Sequence, residues 1–424
     1  MESLLHYVWK HKLYLPNELQ TTDGLRLEII DPGIYNFNAG PDFFNAKIKI
    51  DNRLWAGNVE IHNRSSDWYL HKHQSDKAYN SVILHVIETA DLIEIADQTG
   101  RVIPQFILKI PSHIQANYAY LLQQDDAIPC LTRAHEIPEI HWNQWKNVLT
   151  FERLEQKTQN IFQLLNDFNE DWNEVFYITL ARNFGFGINN EAFERLAKSL
   201  PYKYILKHQN SSIQIESLFL GQAGLLESDE IEDDYYKKLR QEYQFLAKKY
   251  ALKALDSSIF KSLRIRPNNF PHIKLVQLAG FMAQGQTLFS RILETEGLKN
   301  FQLLFAAEVG EYWETHYHFE KTSSLKKKNL GLSAIYILLI NTVIPILFAY
   351  GKRKNQELFI QKAMSLLETI PPEQNHIVNR FVKHGVKCSH SADSQALIQL
   401  KRAYCEQKKC IFCRIGYLLL NKSL

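Results

Sequence analysis

Cys388, Cys405, Cys410 and Cys413 lie close together near the C-terminus, in KCSHSADSQALIQLKRAYCEQKKCIFCRIG, with sixteen, four and two residues between successive members. The fifth cysteine of the chain is Cys130. Thiolates are metal ligands, and four of them close a tetrahedron around zinc or hold an iron–sulfur cluster. The spacing therefore predicts a structural metal site on Cys388, Cys405, Cys410 and Cys413 and leaves zinc and iron–sulfur both open. The competing expectation is four small buried hydrophobes, because free cysteine is often buried.

A second set of residues able to do chemistry lies in GPDFFNAKIKIDNRLWAGNVEIH. Asp42 follows a Gly-Pro turn, and Glu60 and His62 stand two apart in the next apolar–polar run. Period two places Glu60 and His62 on one face of a strand, and pairing the two strands brings Asp42 beside them. Paired carboxylates suit Mg2+. The neighbouring imidazole suits proton transfer near neutral pH. A rival reading takes His62, His71, His73 and His85, with Asp67 and Asp76 among them, as a histidine metal site. In a helix, however, His71 and His73 would face different sides. The bland alternative is a capped turn at Asp42 and an exposed strand face.

The elements that must position these residues can be read from periodicity. Alternating segments at 25–30, 46–50, 54–62, 81–87 and 105–110 predict strands, separated by turns at Asp31-Pro32-Gly33, Asn38-Ala39-Gly40-Pro41 and Asp51-Asn52. Residues 65–79 predict a helix joining two of them, with Ser66 or Asp67 as its N-cap. From about Ile140 helical spacing takes over, with no repeat period. The expected fold is α+β: a mixed α/β sheet domain over 1–130, an α-helical domain over 131–383 and a cysteine-rich metal-binding segment over 384–424.

Composition narrows the partners. A net charge of +3 over 424 residues is too mild to indicate nucleic acid by itself. Basic runs at Lys326-Lys327-Lys328, Lys352-Arg353-Lys354 and Lys408-Lys409, together with Arg264 and Arg266 in RIRPNNFP, are the candidates for gripping phosphate. EYWETHYHF offers rings for base stacking, against the commoner role of packing between helices. Residues 331–350 form an uncharged stretch long enough to span a bilayer, read here as a buried core helix. The N-terminus lacks an apolar stretch of signal-peptide length, and clustered thiols fit a reducing compartment, so a cytoplasmic location is expected.

Pro41-Asp42 followed by Glu60-Ile61-His62 resembles the PD-(D/E)xK nuclease fold, with histidine in the place of lysine. Glu28 on the preceding strand is a further possible ligand. The resemblance covers the N-terminal part and implies phosphodiester hydrolysis of DNA or RNA by Asp42, Glu60 and His62 with Mg2+. Clustered cysteines beside such a core also resemble repair-type nucleases with an iron–sulfur staple, although there the cysteines flank the catalytic domain. Across its whole length the chain resembles an uncharacterised bacterial family of unknown function. The carriers are HYVWKHK, TTDGLRLEIIDPG, NAGPDFFNAKI, LWAGNVEIHNRSSDWYLHKH, YNSVILHVI, ARNFGFGINNEAFERLAKSLP, RPNNFP, INTVIPILFAYG and the cysteine block. That family implies no established activity. The reading is a metal-dependent nuclease; the alternative is a non-catalytic nucleic-acid-binding or scaffold protein with a structural metal.

Overall fold

A computed structural model describes residues 2–14, 19–124, 128–284, 288–306 and 308–422. The chain divides into two units. The first comprises Met1–Trp145, Lys383–Val386 and Leu400–Leu424, and the second Lys146–Val382 and Lys387–Gln399. The fold is α+β, as the sequence predicts, with a mixed sheet near the N-terminus and helices through most of the remainder.

The first unit opens with helix α1 (Glu2–Lys10), which buries Leu4, Leu5, Tyr7, Val8 and Trp9. Strands β1 (Leu27–Asp31), β2 (Ile34–Tyr35), β3 (Phe43–Ile50) and β4 (Arg53–Arg64) follow. A short helix α2 (Asp67–Leu70) leads to β5 (Val82–Thr89), β6 (Gln105–Ile107) and helix α3 (Ser112–Gln123). The sheet order is β1-β3-β4-β5-β6, with β2 paired to β3. β1, β3 and β4 form an antiparallel meander, whereas β5 runs parallel to β4, and β6 parallel to β5. The parallel step follows from connectivity, because a crossover through α2 returns the chain in the direction of β4.

Local chemistry fixes this register. Gly57 on β4 faces β5 so closely that a Cβ would meet Ile83 Cγ2 at 2.4 Å and the Ser81 carbonyl at 2.7 Å. Only glycine admits that approach. Asn45 takes a φ of 56° at the irregularity in the β3–β4 ladder, and its amide donates to Asn58 Oδ1 at 3.2 Å. That bulge lets Phe43 sit opposite Val59, which sets the start of β3 beside Glu60.

Residues 65–79 depart from the single helix expected. The α-helix ends at Leu70, and Lys72 enters the left-handed region (φ 63°, ψ 28°) before 3-10 turns at His73–Ser75 and Lys77–Ser81. Ser66 does not cap α2 with its side chain. Its amide and hydroxyl instead bind the Asp91 carboxylate at 2.9 and 2.6 Å. Two such bonds to a carboxylate outweigh one cap bond, so the segment is tied to the loop after β5 rather than to a longer helix.

The second unit is helical around one large apolar core. Its most apolar helix runs over Leu332–Lys354, long enough by length and composition to cross a membrane, with 67% of its apolar window buried. A π turn at Leu339–Val343 interrupts it. Groups from elsewhere satisfy the carbonyls such a turn displaces: Asn183 Nδ2 donates to Asn341 O at 3.0 Å, and Lys157 Nζ to Ile340 O at 3.2 Å. EYWETHYHF is packing chemistry, since buried Trp313 donates to Glu216 Oε2 at 2.8 Å and Tyr312 stacks on Tyr235 and His316.

Candidate metal centre

Asp42, Glu60 and His62 come together in the first unit. The Asp42 amide donates to Glu60 Oε2 at 3.1 Å, and the Ile61 amide returns a bond to Asp42 Oδ2 at 2.9 Å. This reciprocal clasp holds the start of β3 against the middle of β4. Glu60 and His62 lie on one face of β4, with His62 Nε2 at 3.4 Å from Glu60 Oε1. Glu28 stays on β1, where it pairs with Lys49 of β3, and has no contact with the cluster among the described residues.

The histidines converge as well. Because Lys72 turns the backbone left-handed, His71 and His73 both reach His62 instead of diverging. His71 Nδ1 lies 3.0 Å from His62 Nε2, and His73 Nε2 lies 3.2 Å from Glu60 Oε1. The ligand atoms of His62, His71 and His73 all lie within 4.8 Å of one another. On the far side, His62 Nδ1 and His85 Nε2 share a hydrogen bond of 2.9 Å. Trp68 is fully buried beneath His73 and His85, edge-on to both rings, and its indole N–H donates to Ala96 O at 3.0 Å.

His6 was not singled out by the sequence reading. From α1 it places Nε2 at 3.3 Å from Asp42 Oδ2, with its ring edge-on to Tyr35 and Phe43. Nothing in the linear spacing reveals it, because α1 precedes the strands and meets them only through packing.

Electrostatics separate the roles. Burial, then the nearby Asp42 charge, pushes the Glu60 carboxyl up to about 9. Burial, followed by the charges of its histidine neighbours, drives His62 down to about 2, and burial takes His85 to about 3 and lowers His73. Burial also opposes protonation of His6, but the adjacent Asp42 outweighs it, and the His6 pKa ends above its ordinary value. Burial thus favours the uncharged forms of Glu60, His62, His73 and His85. His73 Nε2 is buried with no aligned hydrogen-bond partner among the described residues. A tetrahedral ion bound about 2.0–2.1 Å from nitrogen and oxygen donors spaces them by roughly 3.3 Å. The separations of 3.0, 3.2 and 3.4 Å approach that spacing, while the three imidazole donor atoms lie within 4.8 Å of one another.

The family described as protein of unknown function (DUF2851) matches residues 2–376. The chain belongs to the DUF2851 family. No curated protein and no solved structure matches it. The matched span of this DUF2851 chain contains every member of the carboxylate–histidine cluster.

The remaining sequence candidates fall in two places. Cys388 belongs to the second unit, where the charges acting on its thiol after burial come from Asp393, Lys146 and Glu373. Cys405, Cys410 and Cys413 belong to the first unit, and the thiol near Cys405 that spacing did not select is Cys130. Arg264 and Arg266 are exposed in the second unit and form no ion pair among the described residues. The basic runs are not free patches throughout. Lys328 is buried, donating to Trp313 O and Glu314 O at 2.7 and 2.8 Å, while Lys352 and Arg353 pair with Glu155 and Glu170.

Proposed function

We propose that this chain is a metal-dependent nuclease that hydrolyses phosphodiester bonds, with its active centre at Asp42, Glu60 and His62. The observation that carries the reading is the convergence of Asp42, Glu60, His62, His71 and His73 around strand β4. Helix α2 and then strand β5, parallel to β4, follow Glu60-Ile61-His62, which agrees with the helix and strand that the PD-(D/E)xK resemblance implies after its motif. Glu60, His62, His71 and His73 would hold the cation. Imidazole donors favour zinc- or iron-like ions over the Mg2+ that two carboxylates alone suggest.

A bound divalent ion would supply charge stabilisation for phosphoryl oxygens and acidify a water. The chain's own residues do the rest. Glu60 would give up its proton in order to hold the cation. His85 fixes the tautomer of His62, so that Nε2 faces the centre. Asp42 keeps His6 able to carry a proton beside the reacting group, a role suited to the leaving oxygen.

The test is cleavage of single- and double-stranded DNA and RNA by the full chain with Mg2+, Mn2+ or Zn2+. Turnover should require a cation and fall at least a hundredfold in Asp42→Asn and Glu60→Gln, with circular dichroism unchanged. Undiminished cleavage by both variants would remove the site. Binding of nucleic acid without cleavage under any cation would leave the non-catalytic binding reading instead.

A further inference from the structure

Residues 400–422 return to the first unit and pack on α1 and α3. Asn421 Nδ2 donates to the Tyr7 hydroxyl at 2.7 Å, and Asn117 Nδ2 donates to the carbonyls of Leu420 and Lys422 at 3.1 and 3.0 Å. Lys422 Nζ reaches Glu136 Oε2 at 3.1 Å, just past Cys130 in the chain. Lys408 Nζ also donates to Leu122 O at 2.7 Å, so the segment that leads into Cys130 lies against the one that carries the C-terminal thiols. The Cys405 thiol lies within electrostatic range of Cys130, Cys410 and Cys413, and all four are buried.

The backbone here has the form of a ligand turn. A π-helical segment ends at Cys405, Lys408 adopts a φ of 50°, and a 3-10 turn spans Cys410–Phe412. Cys413 is the N-cap residue of the helix Arg414–Leu420, beside the unpaired amides of its first turn. Amide donors of this kind tune and hold a thiolate. A Cβ on Gly416 would lie 2.0 Å from the Cys410 carbonyl oxygen, so the helix Arg414–Leu420 sits flush on the C-x2-C turn. No disulfide joins any of the five cysteines. Buried thiols from two chain segments, without a disulfide, are the donor type that soft metals take.

We propose that Cys130, Cys405, Cys410 and Cys413 form a four-thiolate metal centre, and that Cys388 lies outside it. The centre closes a loop between the segment after α3 and the end of the chain. It does not depend on the nuclease reading, since no residue is shared with the carboxylate–histidine cluster.

The test is metal and acid-labile sulfide analysis of full-length protein purified without oxygen, for wild type, Cys130→Ser, Cys405→Ser and Cys388→Ser. The expected result is a stoichiometric centre in wild type and Cys388→Ser that is lost from Cys130→Ser and Cys405→Ser. Zinc without visible absorption identifies a single ion; iron with sulfide and a brown chromophore identifies a cluster. Should the serine variants fail to fold, alkylation mapping of wild type keeps the question open to test. Cys388 should then label before chelation, and the other four only after it. Retention of the centre in Cys130→Ser with loss in Cys388→Ser would overturn the proposal. So would wild-type protein that carries no metal and takes none up on reconstitution with zinc or with iron and sulfide.

Discussion

The carboxylate–histidine cluster and the cysteine cluster of the first unit are held still by opposite means. The former rests on sheet register: Glu60 and His62 ride on β4, Asp42 is clasped to them by two backbone amides, and Trp68 forms a rigid floor. The latter rests on turns, a flush glycine and a long-range return of the chain. Ladder hydrogen bonds persist whatever occupies the first site. The turns around the thiols have little else to define them. A cation should therefore tune chemistry at the first site and stability at the second.

The largest effect that would sharpen this contrast is at Glu60. Glu60→Gln removes a charged ligand without changing shape, and cation-dependent cleavage should fall by several kcal/mol of barrier, roughly a thousandfold. Its melting temperature without metal should hold or rise, since the buried carboxyl it replaces is already neutral near pH 7. A large drop in melting temperature would mean that Glu60 is structural. Trp68→Ala tests the floor. Removing a fully buried indole should cost about 3–5 kcal/mol in denaturant unfolding. Unchanged stability would show that the sheet holds the histidines unaided.

A smaller effect is expected at His85, which touches His62 without belonging to the donor set. His85→Ala should weaken cation affinity or turnover by roughly 10–100-fold and leave the cysteine centre loaded. Loss of metal from both centres would break the comparison.

The smallest effect is in pH dependence without divalent cations. Glu60 is raised from 4.5 to about 9, so its contribution is complete below 4.5 and fades as pH climbs toward 9. His62 and His85 are depressed from 6.5 to about 2 and 3, so theirs is complete above 6.5 and fades as pH falls. Between 4.5 and 6.5 two histidines outweigh one carboxyl, and above 6.5 only the carboxyl acts. Thermal stability in chelator should therefore peak near pH 6.5, and Glu60→Gln should flatten the alkaline side. An alkaline limb identical in wild type and variant would contradict the raised carboxyl.

How much of this was legible depended on which structure carried each residue. Period two along 54–62 places Glu60 and His62 together, and the turn before Phe43 places Asp42, because strand geometry converts spacing into position. The strands themselves could be read for the same reason. His71 and His73 could not, because helical periodicity gives way at one left-handed residue, Lys72. His6 was hidden by the distance between α1 and the strands it packs on, and Cys130 by the long stretch of chain before its partners. Cys388, grouped with the other thiols by proximity in sequence, falls in the second unit, and Cys405, Cys410 and Cys413 fall in the first.

Lys72 acts on this cluster through its backbone alone. Its own side chain is exposed and takes no part in the chemistry, yet its backbone dihedral decides whether two imidazoles meet. Relatives that keep this centre should tolerate glycine or asparagine there and reject valine or isoleucine, whose branched side chains resist that conformation. A motif written only in histidines and acids would miss such a requirement. The geometry of this cluster depends as much on a permitted torsion as on any of its side chains.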